Sequence, residues 1–187
     1  MRIVDLSRPF TLGVFMKNPH SGTHLDSPAY AFPGGKAIGD FPPERFIVDA
    51  ALLDLTHKRP GECIDDEDLE AAEESAGLAL RDGEAAILHT CASEPSPTPM
   101  SFPYLSRNGA DYLEFKGVSL VGVDSANIDR SESSELTAHG ILLGKDIIVL
   151  EGLTNLGTIE SSRFRLICLP LRLDAVTSPV RAVATLD

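Results

Sequence analysis

A chain of 187 residues, 43% hydrophobic and 24% charged, can build one domain with a real core over residues 1–187 and has little room for a second. Its formal net charge of −12, with Lys and Arg scattered rather than clustered, offers no basic stripe for phosphate and argues against nucleic acid as a partner. Asp5 and Ser7 interrupt the start before an apolar run of signal-peptide length, and no later stretch approaches the roughly 20 apolar residues of a membrane span, so a soluble cytoplasmic protein without a membrane partner is expected.

In chain order, the first β-rich run is Phe46 to Leu55. Asp65 to Leu80 follows as a helix, with Leu69, Ala72, Ala76 and Leu80 on one face and acidic residues near its start, where the helix dipole favours them. Ala85 to Leu88 reads as the next strand. The run from Ser93 to Pro99 carries three prolines, which remove donors and fix φ, so a surface loop is expected there. A second helix falls between Tyr104 and Phe115 and stops at Gly117, which tolerates positive φ. Val118 to Val123, Ile147 to Leu150, Phe164 to Leu169 and Val180 to Leu186 read as further strands. Incomplete alternation of strands and helices points to an α/β domain with a mixed sheet and few helices, not a regular doubly wound stack. Cys63, Cys91 and Cys168 are odd in number, far apart and without a C-x-x-C pair, which suits reduced thiols rather than a disulfide framework or a thiolate zinc site.

The densest group of ligand-bearing residues is Pro19-His20-Ser21-Gly22-Thr23-His24-Leu25-Asp26-Ser27-Pro28. In extended backbone His20, His24 and Asp26 share a face, with Gly22 leaving room for an ion. In a helix His20 and His24 would also meet at i and i+4, although Pro19, Gly22 and Pro28 disfavour that conformation. Either way two imidazoles and a carboxylate converge, a donor set suited to zinc, manganese or iron. His57 and His89 have no neighbours at ligand spacing and read as structural, and Cys91 lacks an identifiable base and orienter for thiolate chemistry. Glu151, ending an apolar run before Gly152, would be costly to bury without a cation beside it.

The segment His-Ser-Gly-Thr-His-Leu-Asp-Ser-Pro closely resembles the H-x-G-T-H-x-D-x-P signature of the cyclase family, which includes bacterial kynurenine formamidases and isatin hydrolases. Further stretches look like family landmarks: Asp5-Leu-Ser7, Gly122 to Ala126, Glu151 to Leu156, Leu169-Pro-Leu171 and Ser178 to Ala184. The resemblance implies a swivelling β/β/α fold and a homodimer or homotetramer. It also implies that His20, His24 and Asp26 hold one divalent ion, zinc or else manganese, that Asp26 bridges to a second, and that His139 and Glu151 complete that second site. The implied activity is hydrolysis of a small amide, cyclic amide or lactone. A metal-activated hydroxide would attack the carbonyl, since a bound cation lowers the pKa of water from 15.7 to about 7.

The chain departs from the pattern in two places. Family members continue the signature as P-x-H, with the histidine shuttling protons, and the matching residue here is Tyr30. A phenol with a reference pKa near 10 is a poor base at neutral pH, so Tyr30 is the candidate catalytic group of either an altered hydrolase or a catalytically silent metal- or ligand-binding homologue. Residues 8–19 are also a short link between Asp5-Leu-Ser7 and His20, where relatives carry a longer excursion with aromatic residues, and this chain contains no Trp. A small-molecule substrate is expected, without its identity.

Overall fold

The strand-forming runs at the centre of the chain carry apolar side chains on both faces, and in the computed structural model they form the middle of one mixed sheet. The structure describes residues 1–8, 12–92, 101–131 and 135–186; the proline run at 93–99 lies outside them. In chain order the elements are β1 (Arg2–Asp5), α1 (Leu12–Lys17), β2 (His24–Asp26), α2 (Pro28–Ala31), β3 (Ile47–Asp54), β4 (Cys63–Ile64), α3 (Asp66–Ala76), β5 (Ala85–His89), β6 (Tyr104–Leu105), α4 (Arg107–Phe115), β7 (Leu120–Val123), α5 (Thr137–Leu143), β8 (Ile148–Glu151), β9 (Arg163–Ile167), β10 (Thr177–Pro179) and β11 (Val183–Leu186).

The sheet runs β1-β11-β9-β3-β5-β7-β8-β2-β10, and β4 pairs separately with β6. Its centre, β3-β5-β7-β8, is parallel, with α3, α4 and α5 lying between successive strands in the chain, while the flanking pairs are antiparallel. The period of two along each central strand builds two cores. Ala51, Leu53, Ala86, Leu88, Val121, Val123 and Val149 face the helices and pack with Leu69, Ala110, Leu113, Ala138 and Leu142. Ala50, Ala85, Ile87, Leu120, Ile148 and Leu150 face the other way, toward Leu6, Leu25, Leu166, Val180 and Ala184. Among the described residues no helix is long and apolar enough to cross a membrane.

The expected mixed α/β sheet is present, with corrections at its boundaries. The helix read as Asp65 to Leu80 begins with Asp65 as N-cap, its side chain accepting from Asp68 N, but ends at Ala76 because Gly77 turns left-handed at φ 63. Leu80 folds back instead, its N–H donating to the Glu73 carboxylate. The second helix starts at Arg107, since Tyr104 and Leu105 pair with β4. The helix at Thr137–Leu143 has no counterpart in the sequence pattern, and the strand at His24–Asp26 takes up only the end of the stretch from His20 for which extended backbone is considered; both are short and take their order from neighbours rather than from periodicity.

Candidate metal centre

β2 is only three residues long, yet it sits between two strands, with His24 opposite Glu151 on β8 and opposite Pro179 on β10. Alternation sends Leu25 into the apolar core, fully buried, and turns His24 and Asp26 to the other face. His20 does not belong to this strand. Gly22, at φ 72, bends the chain between them, so neither of the two backbones weighed for this segment, extended or helical, runs from His20 to Asp26: a turn is followed by a strand. The turn also brings the chain close to Gly152, where an added Cβ would lie 2.2 Å from the Gly22 carbonyl oxygen. Thr23 ties the same crossing together, its hydroxyl donating to Gly152 O at 2.7 Å.

Despite that correction, the five predicted ligand residues converge. His20 Nδ1 is 3.0 Å from Asp26 Oδ1 and His24 Nε2 is 3.6 Å from Asp26 Oδ2. His139 Nε2 lies 3.4 Å from Asp26 Oδ2 and 3.3 Å from Glu151 Oε1, and His24 Nε2 lies 3.4 Å from Glu151 Oε2. The side chains form two groups, His20-His24-Asp26 and Asp26-His139-Glu151, with ligand atoms in each within 4.8 Å of one another and Asp26 common to both. All but His20 are buried.

His24 Nε2, His139 Nε2 and both Asp26 carboxylate oxygens have no hydrogen-bond partner although they are buried. Bare buried polar atoms are costly, and here His24 Nε2 and His139 Nε2 lie 3.6 and 3.4 Å from Asp26 Oδ2. Their other sides are satisfied: His24 Nδ1 faces Gly22 O at 3.2 Å, His139 Nδ1 faces Asp129 at 2.8 Å, and Glu151 Oε1 accepts from Ile128 N at 2.7 Å. This outer support orients the His24 and His139 rings with Nε2 inward, as the second hydrogen bond of a metal-binding imidazole commonly does.

Electrostatics agree with that fit. Burial alone would lower the His24 pKa, but the Asp26 and Glu151 carboxylates overcome it and push it up to about 10. Burial would likewise lower His139, and Asp129, Asp26 and Glu151 carry it well above its ordinary value. Conversely, burial would raise the carboxylates, yet the imidazoles hold Asp26 well below its usual range and Glu151 lowered. The pocket favours positive charge, and its imidazole and carboxylate donors are of the types that fit a divalent cation.

Tyr30, on α2, is half-buried beside this group. Its ring centroid is 4.6 Å from that of His20 and 5.1 Å from that of His139, so it spans both candidate groups, although its ring also packs against the helix-side core. Burial is the main cause that raises its pKa, helped by the nearby carboxylates, which keeps the phenol a neutral donor. His57 and His89 stand outside both groups. The His57 side chain is 63% exposed and 3.8 Å from Asp68, and His89 Nε2 contacts Cys91 Sγ at 3.5 Å. Asp129 was not identified from the sequence; a lone acid ten residues before His139 carries no spacing signal, and only the loop after β7 brings it to the ring.

A family model described as putative cyclase matches residues 4–130, a segment holding the first group but ending before His139 and Glu151. A kynurenine formamidase from Salinibacter ruber is 32% identical over 178 residues, covering 92% of this chain and 78% of that protein. A kynurenine formamidase from Bacillus cereus is 32% identical over 174 residues, with the same two coverages. Among solved structures, a potential metal-dependent hydrolase with cyclase activity superposes with a TM-score of 0.82 at 24% identity, covering 98% of this chain and 96% of the other. Isatin hydrolase A from Labrenzia aggregata, bound to benzyl benzoate, gives a TM-score of 0.82 at 19% identity, covering 98% and 93%.

Proposed function

This chain belongs to the putative cyclase family, and from that premise we propose that it hydrolyses a small amide, cyclic amide or lactone at a metal centre held by His20, His24, Asp26, His139 and Glu151. The observation that carries this reading is the pair of buried groups sharing Asp26, with bare Nε2 and carboxylate atoms turned toward each other. Imidazole and carboxylate donors favour zinc, with manganese the alternative, and the shared carboxylate favours two ions over one. A divalent cation held there supplies Lewis acidity that polarises a carbonyl and acidifies water.

The protein's own groups supply positioning and proton handling. Asp26 neutralises charge for both halves of the centre, and Glu151 is kept in place by Ile128 N. Tyr30 donates its phenolic proton toward the developing oxyanion or the leaving group from its place beside His20 and His139. The sheet behind the site excludes water from its rear, because Leu25 and Leu150 fill the opposite face. We further read the protein as a cytoplasmic homodimer or homotetramer, a setting that suits three widely separated cysteines without a C-x-x-C pair.

Tyr30 favours a second reading as well: a homologue that keeps the centre but has lost the proton shuttle. The experiment is metal analysis of protein purified without added metal, followed by assays on aryl formamides, isatin-like lactams and small lactones. Chelator-sensitive turnover supports the hydrolase. Bound metal with no turnover across the panel supports the silent homologue, and absence of bound metal after reconstitution overturns both.

A further inference from the structure

We propose that Asp129 is a positioning residue for this centre: its carboxylate holds the His139 imidazole with Nε2 bare toward Asp26 and Glu151, while capping the helix that carries that histidine. The inference rests on the reading of His139 as a metal ligand. α5 begins without a local cap, since Leu136 supplies no side-chain hydrogen bond. Asp129, only 4% exposed, reaches in from the loop after β7 instead. Its Oδ1 accepts from Ala138 N at 2.6 Å, and its Oδ2 accepts from His139 N at 3.3 Å and faces His139 Nδ1 at 2.8 Å. The carboxylate is steadied in turn, as Asp129 N donates to Asn127 Oδ1 at 2.7 Å. The preceding residue, Ile128, donates its N–H to Glu151, so one short loop supports both non-shared members of the second group.

A carboxylate can only accept, so it selects the tautomer with hydrogen on Nδ1 and leaves the Nε2 lone pair for a cation. An amide of the same size cannot accept at both places. With its NH2 toward His139 it would meet the His139 N–H and Nδ1–H, and relief of that donor clash would move the hydrogen to Nε2, where it blocks coordination. With its oxygen toward His139 it would set its NH2 against the Ala138 N–H, so the ring would be held only by displacing the helix start, and by a neutral acceptor weaker than a carboxylate. A capping role alone makes a different demand, because any acceptor at the helix start would satisfy it.

The test is zinc titration of the full chain against a chromophoric chelator, with Co2+ absorption spectra and melting curves recorded in parallel. His139→Ala defines the zinc affinity that depends on that ring. Asp129→Asn should weaken the same affinity by about 10- to 100-fold and alter the Co2+ spectrum, with the fold retained. Asp129→Ala combined with Leu136→Ser restores a cap at the helix start without a carboxylate at His139, so it should recover thermal stability relative to Asp129→Ala while zinc binding stays weak. Zinc affinity at the wild-type level in Asp129→Asn, or restored together with stability in the double variant, would overturn the inference and leave capping as the only role. If His139→Ala itself leaves zinc binding unchanged, the ligand reading of His139 fails, and the inference fails with it.

Discussion

His24 and Glu151 face each other across the antiparallel pair β2–β8, and His24 Nε2 lies 3.4 Å from Glu151 Oε2. The register puts a residue of the signature segment beside one far along the chain, on the face opposite Leu25 and Leu150. A slip of one residue would turn His24 into the apolar core and Leu25 into the site, so the register is protected by the burial of both leucines.

Removing a ring from this pair should therefore lower metal content and heat stability together. A cation present at about 100 times its Kd stabilises the folded state by about 2.7 kcal/mol. A chain of this length gains about 2–4 °C in Tm per kcal/mol. Melting curves should show that metal-dependent rise in the wild type and its loss in His24→Ala. Unchanged metal content in His24→Ala or His20→Ala, measured on protein purified without added metal, would remove these residues from the centre.

Asp26 belongs to both groups, whereas His139 and Glu151 belong to one. Asp26→Asn should empty both positions, because an amide cannot balance the charge of two ions. His139→Ala and Glu151→Gln should empty only the second, leaving about one ion per chain by elemental analysis. An ordered single ion retained in Asp26→Asn would indicate a mononuclear site.

Tyr30 separates an altered hydrolase from a silent homologue. Tyr30→His places a group with a reference pKa of about 6.5 beside the two imidazoles, and general acid–base catalysis of that kind is worth about 10²–10⁴-fold in rate. A gain in kcat at neutral pH would mean that the rest of the machinery is intact. In a wild type active through its phenol, Tyr30→Phe should abolish most turnover with metal content and Tm preserved. Wild-type behaviour of both variants on a hydrolysed substrate would exclude a catalytic role at this position.

A pH dependence of stability should come from a different place, the turn after α3. Burial would raise the Glu73 pKa, but hydrogen bonds from Tyr112 and Leu80 N and the ammonium of Lys116 at 3.0 Å hold it below its ordinary value of 4.5. A carboxylate with a depressed folded-state pKa stabilises the protein above the unfolded value and loses that contribution as pH falls through the folded one. Glu73→Gln should cost about 1–3 kcal/mol at pH 7 and progressively less below about pH 4. A Tm difference between wild type and variant that stays constant from pH 7 to pH 3 would contradict this assignment.

Residues close in the chain were the ones that could be read without a structure. His20, His24 and Asp26 lie within seven positions, so a turn followed by a short strand was enough to gather them, and the apolar runs of β3, β5, β7 and β8 declared themselves through composition and length. The acidic first turn of α3 was visible for the same local reason, while its end was not, because the Glu73 carboxylate captures Leu80 N only after the chain has turned at Gly77. His139 entered through resemblance to a family, and Glu151 through that resemblance and the cost of burying its carboxylate at the end of an apolar run, since spacing says nothing about residues separated by whole strands. Their approach to Asp26 was decided by sheet order and by the register of β2 on β8, which are properties of long-range pairing. Asp129 and the bend at Gly22 belong wholly to the tertiary structure: a cap supplied from another loop, and a backbone that must pass within contact of Gly152, arise only once distant segments are packed together.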